Sequence, residues 1–260
     1  MTSDLNDHVL FSSGEDYESS SVTQFGQGSA LFALLPELES GRVLDVGCGN
    51  GLLTLELARW LPGCNVEGID LSPEMIELAQ SHLGPNTEDR VRFEATDLFA
   101  FAPDHRYDLV FSNATMHWLL PANGAYSRLS QLLVPGGHLV VCQGGRACYM
   151  GLWQLAAAIL KEAGVSLEGW HYPAFYPTQA EMEEMLRRCG FVDIKVVSWE
   201  SDGEEMTTLY KDFASAGLLP FARLLPEGLQ DGFRAEFVRR AEVTQPARYT
   251  HRIVASARRS

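Results

Sequence analysis

The chain has 260 residues, 46% hydrophobic and 21% charged, enough for one large domain or two small ones around a substantial core. Its formal net charge of −14 speaks against a nucleic-acid or anionic-membrane binder, since both rely on clustered Lys and Arg. The five cysteines (Cys48, Cys64, Cys142, Cys148 and Cys189) are odd in number and lack CxxC spacing, which argues against a disulfide framework or a metal site and for buried thiols in a reducing compartment. The opening MTSDLNDHVL is polar and acidic, unlike a signal peptide, and no apolar run approaches the roughly 18 residues of a membrane span. The expectation is a soluble cytoplasmic protein without nucleic-acid or membrane partners.

After a polar start, residues 15–38 carry Phe25, Leu31, Phe32, Leu34 and Leu35 at near-helical spacing, read as one or two helices. RVLDVG follows as a short buried-type strand, and GLLTLELARWL as a helix ended by Pro62-Gly63. NVEGID is a second strand. Ser72 caps the next helix, PEMIELAQSHL, with Pro73 in its first turn. VRFEAT and YDLVFSN are strands three and four, and a helix spans about 122–133. Pro135-Gly136-Gly137 is expected to turn the chain into a fifth strand, HLVVCQG. Residues 150–163 look helical, 173–177 form a Pro- and Tyr-rich loop, and TQAEMEEMLRRCG is a helix with Gly190 as its stop. FVDIKVVSW is a sixth strand. Residues 201–246 are helical in pattern, with turns expected at Gly217, Pro220, Pro226 and Gly228, and RYTHRIVASARR closes the chain as a strand. This alternation predicts an α/β fold with a parallel sheet covered by helices on both faces.

VLDVGCGNG sets Gly47, Gly49 and Gly51 between a buried strand and a helix. Such a turn lies at the carboxyl edge of a parallel sheet, where open α/β folds bind ligands, and missing Cβ atoms let backbone lie flat against one. A dinucleotide fingerprint GxGxxG would need Gly where Leu52 stands, and no Gly-Lys-Ser/Thr of a phosphate loop is present. Asp45 would repel a pyrophosphate and suits a ligand bearing a cation, such as an amino acid's ammonium group. Asp70, closing strand two, can take both hydroxyls of a ribose. Asp97, after strand three, is placed near where an adenine amino group could be held; each of these acids could instead be a helix cap or a solvated loop residue.

In this order and spacing, VLDVGCGNG, GIDLSPEMIELA, EATDLFAF, YDLVFSNATMHWL and LVPGGHLVV resemble the successive motifs of class I S-adenosylmethionine-dependent methyltransferases. The resemblance implies a Rossmann-like seven-stranded sheet with its last strand antiparallel, helices on both faces and a helical cap. It implies S-adenosyl-L-methionine as cofactor and S-adenosyl-L-homocysteine as product. Asp45, Cys48 and Leu71 would bind the cofactor, and Gly47, Gly49 and Gly51 would lie under its methionine part. Asp70 would hold the ribose, Asp97 and Leu98 the adenine, and Asn113 would face the cofactor from strand four. On this reading residues 1–40 form a helical lid segment, and 41–260 the methyltransferase domain with a cap insertion at about 201–246.

SNATMHWLL further resembles the trans-aconitate, malonyl carrier-protein and juvenile-hormone acid methyltransferases, which implies a small-molecule or acyl acceptor methylated at a carboxylate oxygen. The alternatives are a hydroxyl or carbon acceptor, or a fold that binds the cofactor without transfer. A carboxylate needs no base; an alcohol or carbon acid does. His117 is the candidate base. His117, Trp118, Tyr17 and Arg146 are the candidate acceptor contacts, with the Arg146 fork suited to a carboxylate. Phe213, Leu218, Leu219, Phe221, Leu224 and Leu225 are expected either to wall the acceptor site or simply to pack as core.

Overall fold

Runs of branched and apolar residues become strands here because both faces of the sheet are covered, so each strand must be apolar on both sides. The computed structural model describes residues 30–84, 87, 89–201, 209–247 and 249–260. Seven strands appear in chain order: β1 (Gly41–Val46), β2 (Cys64–Asp70), β3 (Val91–Ala95), β4 (Tyr107–Asn113), β5 (Leu133–Gly144), β6 (Phe191–Ser201) and β7 (Thr250–Arg259). They form one sheet in the order β3-β2-β1-β4-β5-β7-β6, with β1 to β5 parallel and β7 antiparallel to β5. The chain steps outward from β1 to β3 and then returns to β4 on the other side of β1. That reversal is the switch point at which such sheets open a ligand crevice.

Alternate residues of each strand serve opposite faces. Leu44, Val46, Val110, Leu139, Val141 and Ile253 face α3 (Ala122–Leu132) and α5 (Gln179–Arg188). Val43, Val66, Leu109, Phe111, Val140, Cys142 and Val254 face α1 (Leu52–Trp60), α2 (Pro73–Ser81) and a 3-10 turn at Ala30–Leu34, whose Leu31 and Phe32 are buried. Local signals act where expected. The Ser72 hydroxyl accepts from the Met75 amide at 3.2 Å, and Thr178 and Glu181 form a reciprocal capping box on α5. Gly190 follows α5 at φ +84°, the left-handed stop.

Three expectations are corrected, the first being the turn at Pro220, which instead lies at the start of a short helix, Leu219–Ala222. Pro135-Gly136-Gly137 does not precede β5 but lies inside it. Tyr107 pairs with Leu133 and Leu109 with His138, so the extra residues are absorbed as a bulge. Gly228 is not a turn; it lies in the first turn of a long helix, Glu227–Thr244. Of residues 15–38, those before 30 lie outside the described residues.

The segments 147–173 and 200–251 form a separate compact unit. It contains α4 (Met150–Glu162), α6 (Leu209–Asp212), a π-helical turn at Phe213–Gly217, α7 (Leu219–Ala222) and α8 (Glu227–Thr244). Leu152, Ala156 and Leu160 pack there with Phe213, Leu218, Phe221, Phe233 and Phe237. Of the two readings of the apolar stripe, Phe213, Leu218 and Phe221 follow the second and are taken up by this unit's own core. Among the described residues no helix is long and apolar enough to cross a membrane.

Candidate functional site

The glycine turn begins as β1 ends. The amides of Gly47 and Cys48 both donate to the Ile69 carbonyl, at 2.8 and 3.0 Å, which pins the turn to the end of β2. Gly47, Gly49 and Gly51 have φ of +73°, +54° and +75°, the left-handed region that side chains with a Cβ disfavour. At Gly47 and Gly51 the place of the missing Cβ is filled by protein rather than left for a ligand. A Cβ on Gly47 would lie 2.1 Å from the Thr115 hydroxyl, and one on Gly51 2.7 Å from both Ala79 and the Phe93 ring. Close approach thus operates between the turn and the segments behind it, a role the spacing alone does not display. Cys48 is buried, and burial pushes its thiol well above the ordinary range.

Two acidic side chains flank the turn, and a third, Asp97, follows β3. Asp45 is 2% exposed and accepts a 2.7 Å bond from the Thr54 hydroxyl on α1. Burial raises its carboxyl to about 7, with Thr54 opposing and the nearby Asp70 adding to the rise. Asp70 accepts from the Gly49 amide at 2.9 Å and the Ser72 amide at 3.0 Å; burial raises it too, and these amides hold it down. Asp97 accepts from the Phe99 amide at 2.6 Å across a turn, and no helix starts there for it to cap. Leu98 is buried in the core and Leu71 sits half-buried just past β2. Asn50, which sequence reasoning passed over, is buried, and its side-chain amide nitrogen has no partner among the described residues.

A second cluster forms where β4 and β5 end. Asn113 closes β4, Ala114 takes φ +59°, and the Thr115 hydroxyl bonds the Gly47 carbonyl at 3.2 Å. His117 follows in a 3-10 turn (Met116–Trp118), 6% exposed. Its ring lies 5.1 Å from that of Trp118 and 5.2 Å from that of Tyr176. A buried chain of bonds holds this arrangement. Tyr126 Oη donates to Gln143 at 2.6 Å, Gln143 donates to the Phe175 carbonyl at 3.1 Å, and the Phe175 amide donates to the His117 carbonyl at 2.8 Å. Burial lowers the imidazole to about 3, helped by the positive charge of Arg252, so it is neutral at physiological pH. Its Nδ1 has no partner among the described residues.

The structure brings Asp45, the three glycines, Cys48 and Asp70 together around one turn, and places Asn113, His117 and Trp118 along the end of β4. It places Arg146 apart from the buried cluster: the side chain is 59% exposed and forms an ion pair with Glu181. Tyr17 lies outside the described residues. Thr54, Thr115 and Tyr176 were missed. Tyr176 gave one signal, its place in the Pro- and Tyr-rich loop.

Residues 43–137 match the family described as methyltransferase domain. The chain is 28% identical over 228 residues to a trans-aconitate 2-methyltransferase of Variovorax paradoxus, covering 84% of each chain. It is 30% identical over 110 residues to malonyl-[acyl-carrier protein] O-methyltransferase 2 of Ilyobacter polytropus, where the match spans only 42% of either chain. In fold it is similar to Haemonchus contortus phosphoethanolamine N-methyltransferase 2 in complex with S-adenosyl-L-methionine, with TM-score 0.59 at 18% identity, covering 90% of this chain and 53% of that one. Residues 43–137 thus match a methyltransferase domain, within a seven-stranded sheet that carries the glycine turn after β1.

Proposed function

We propose that the protein transfers a methyl group from S-adenosylmethionine to a carboxylate oxygen of a small organic acid or acyl compound, forming a methyl ester. The observation that carries this reading is the burial of His117, the candidate base, against the rings of Trp118 and Tyr176, which disfavours the charged imidazolium that a base must become. A carboxylate arrives already ionised and needs no base. The names of the two curated relatives, a trans-aconitate methyltransferase and a malonyl carrier-protein O-methyltransferase, support the same acceptor class.

The residues around the turn suit the cofactor. The buried Asp45 carboxylate complements an ammonium group, and the unpartnered Asn50 amide offers a donor to a carboxylate, the two ends of an amino acid. Asp70 retains lone pairs for ribose hydroxyls beyond the two amides it accepts. When bound, S-adenosylmethionine supplies a methyl group on a sulfonium, an electrophile that needs no further activation. The chain then has to orient an acceptor oxygen and keep water away. His117 and Trp118, on the loop after β4, stand at the edge where the acceptor would lie, and the neutral imidazole offers it a hydrogen bond without moving a proton.

The test is incubation with methyl-labelled S-adenosylmethionine and a panel of organic acids, fatty acids, acyl thioesters and phenols, followed by mild alkali. Label released as methanol is the expected result. Alkali-stable label means an ether, amine or carbon product and overturns the carboxylate reading.

A further inference from the structure

Most of the sheet is apolar on both faces, and β2 breaks that rule in mid-strand. Glu67 lies between the buried Val66 and Gly68 and is half-buried itself. Its neighbours across the sheet are polar too. Glu67 is opposite Arg92 of β3, and Asn65, two residues back on the same face, is opposite Arg42 of β1. Arg42 and Arg92 are each the second residue of a parallel strand, so both stand at the amino ends, away from the glycine turn. The crossover from β3 to β4 explains why this face stays polar. Residues 96–106 contain no helix to cover it, and a loop takes that place. The result is a cleft of about 440 Å³, lined by Arg42, Arg90 and Arg92 from the strand starts and by Asp104, His105 and Tyr107 from the other side.

Charge in the cleft is not balanced pair by pair. Glu67 accepts from the Tyr107 hydroxyl and lies 3.7 Å from His105 Nε2, while His105 Nδ1 bonds Asp104 at 2.7 Å. Both carboxylates are thereby engaged on that side. Arg90 donates to the Leu61 and Cys64 carbonyls at 3.5 and 3.4 Å, neutral partners that leave its charge in place. Among the described residues, the Arg42 and Arg92 guanidinium groups have no hydrogen bond or ion pair. The Arg42 charge reaches Asp104 and Tyr107 only through space. The exposed Arg59, Arg187 and Arg239, by contrast, each pair with a glutamate of their own helix. Three arginines thus share one cleft whose third acid is Asp89, in a chain of net charge −14.

We propose that this cleft is a second binding site, for a small multivalent oxyanion of the diphosphate kind. Guanidinium groups from β1 and β3 take its oxygens as planar forks, and Arg90 adds a third positive charge. The volume falls within the roughly 300–1,000 Å³ of ligand pockets, and the polar lining suits a hydrophilic ion rather than an apolar molecule. The site stands apart from methyl transfer, since none of its residues belongs to the glycine turn or to the end of β4.

The full chain, saturated with S-adenosylhomocysteine, is titrated with sodium pyrophosphate by calorimetry in low-salt buffer free of divalent metal. The expected result is one saturable site with Kd below about 1 mM, weakening as sodium chloride is added. Arg42→Gln combined with Arg92→Gln should raise that Kd at least about 10-fold, the worth of one charge-assisted hydrogen bond. Arg106 is the control: it is exposed between His105 and Tyr107 but does not line the cleft, so Arg106→Gln should change Kd by less than about 2-fold. Absence of saturable binding up to about 10 mM overturns the proposal, and so does equal weakening in the double variant and the control. Binding seen only without S-adenosylhomocysteine also overturns it, because the anion would then occupy the cofactor turn. Melting temperatures check each variant, and should the double variant not fold, Arg92→Gln alone decides by the same comparison.

Discussion

At the residue scale, the two buried titratable groups of the site make opposite demands on pH. His117 is neutral from about pH 4 upward, since burial holds it near 3. His117→Gln, which keeps hydrogen-bonding capacity, should therefore leave kcat within about 10-fold, well short of the 100- to 10,000-fold that loss of a general base costs. The wild-type rate profile should show no limb near pH 6.5; a limb there that disappears in the variant would restore the base role. Asp45 behaves differently. Its folded carboxyl titrates at about 7 against about 3.9 in an unfolded chain, so the folded state holds the proton more tightly. Its contribution to stability is full below pH 4 and is lost as pH rises to 7, a span of the order of 4 kcal/mol. Asp45→Asn keeps an acceptor for Thr54 but cannot ionise. Denaturant unfolding of the cofactor-free protein should find it more stable than wild type at pH 8 and no more stable at pH 4. Cofactor affinity at pH 8 should fall about 10-fold in the same variant, through loss of the charge facing the ammonium group. Equal affinities would remove Asp45 from that role.

At the element scale, the glycine turn is a joint between β1, α1 and the loop after β4. Gly47→Ala meets two separate penalties: φ of +73°, and Thr115 at 2.1 Å from the new Cβ. Left-handed strain costs about 1–2 kcal/mol and stays whatever the neighbour does. The steric part belongs to the pair, so Gly47→Ala combined with Thr115→Gly should be less destabilised than the single changes sum to, by about 1 kcal/mol or more in urea unfolding. Strict additivity would mean that Thr115 does not press on the turn. This joint also explains what was legible in the sequence. The strands were readable because parallel strands buried on both faces are apolar runs, and Asp45, the glycines and Asp70 follow each other within a few residues of strand ends. Tyr176 was not readable, because loop packing brings it to His117 from a distant part of the chain. The Pro135-Gly136-Gly137 bulge and Gly228 show the converse: local turn residues lose to strand pairing and to the packing of a long helix when those offer more.

At the scale of the whole molecule, the sheet is closed by its last strand rather than its next to last. β7 is inserted between β5 and β6, so Arg252–Arg258 pair with β5 from Gly144 to His138 and the strand gives β6 its place in the sheet. Ile253, Ala255 and Ala257 serve one face of the sheet core and Val254 the other. Removing residues 250–259 would leave β5 with an open edge of unpaired amides and carbonyls and two apolar surfaces without their cover. Such a chain should show no cooperative urea transition by circular dichroism and should expose apolar surface to a hydrophobic dye. The glycine turn, although far away in sequence and complete in every residue, should then bind no cofactor, because β1 and β4 are held in register by the sheet that β7 completes. A truncated chain that unfolds cooperatively with the wild-type denaturant slope would show instead that β1 to β5 form a unit that folds without β7.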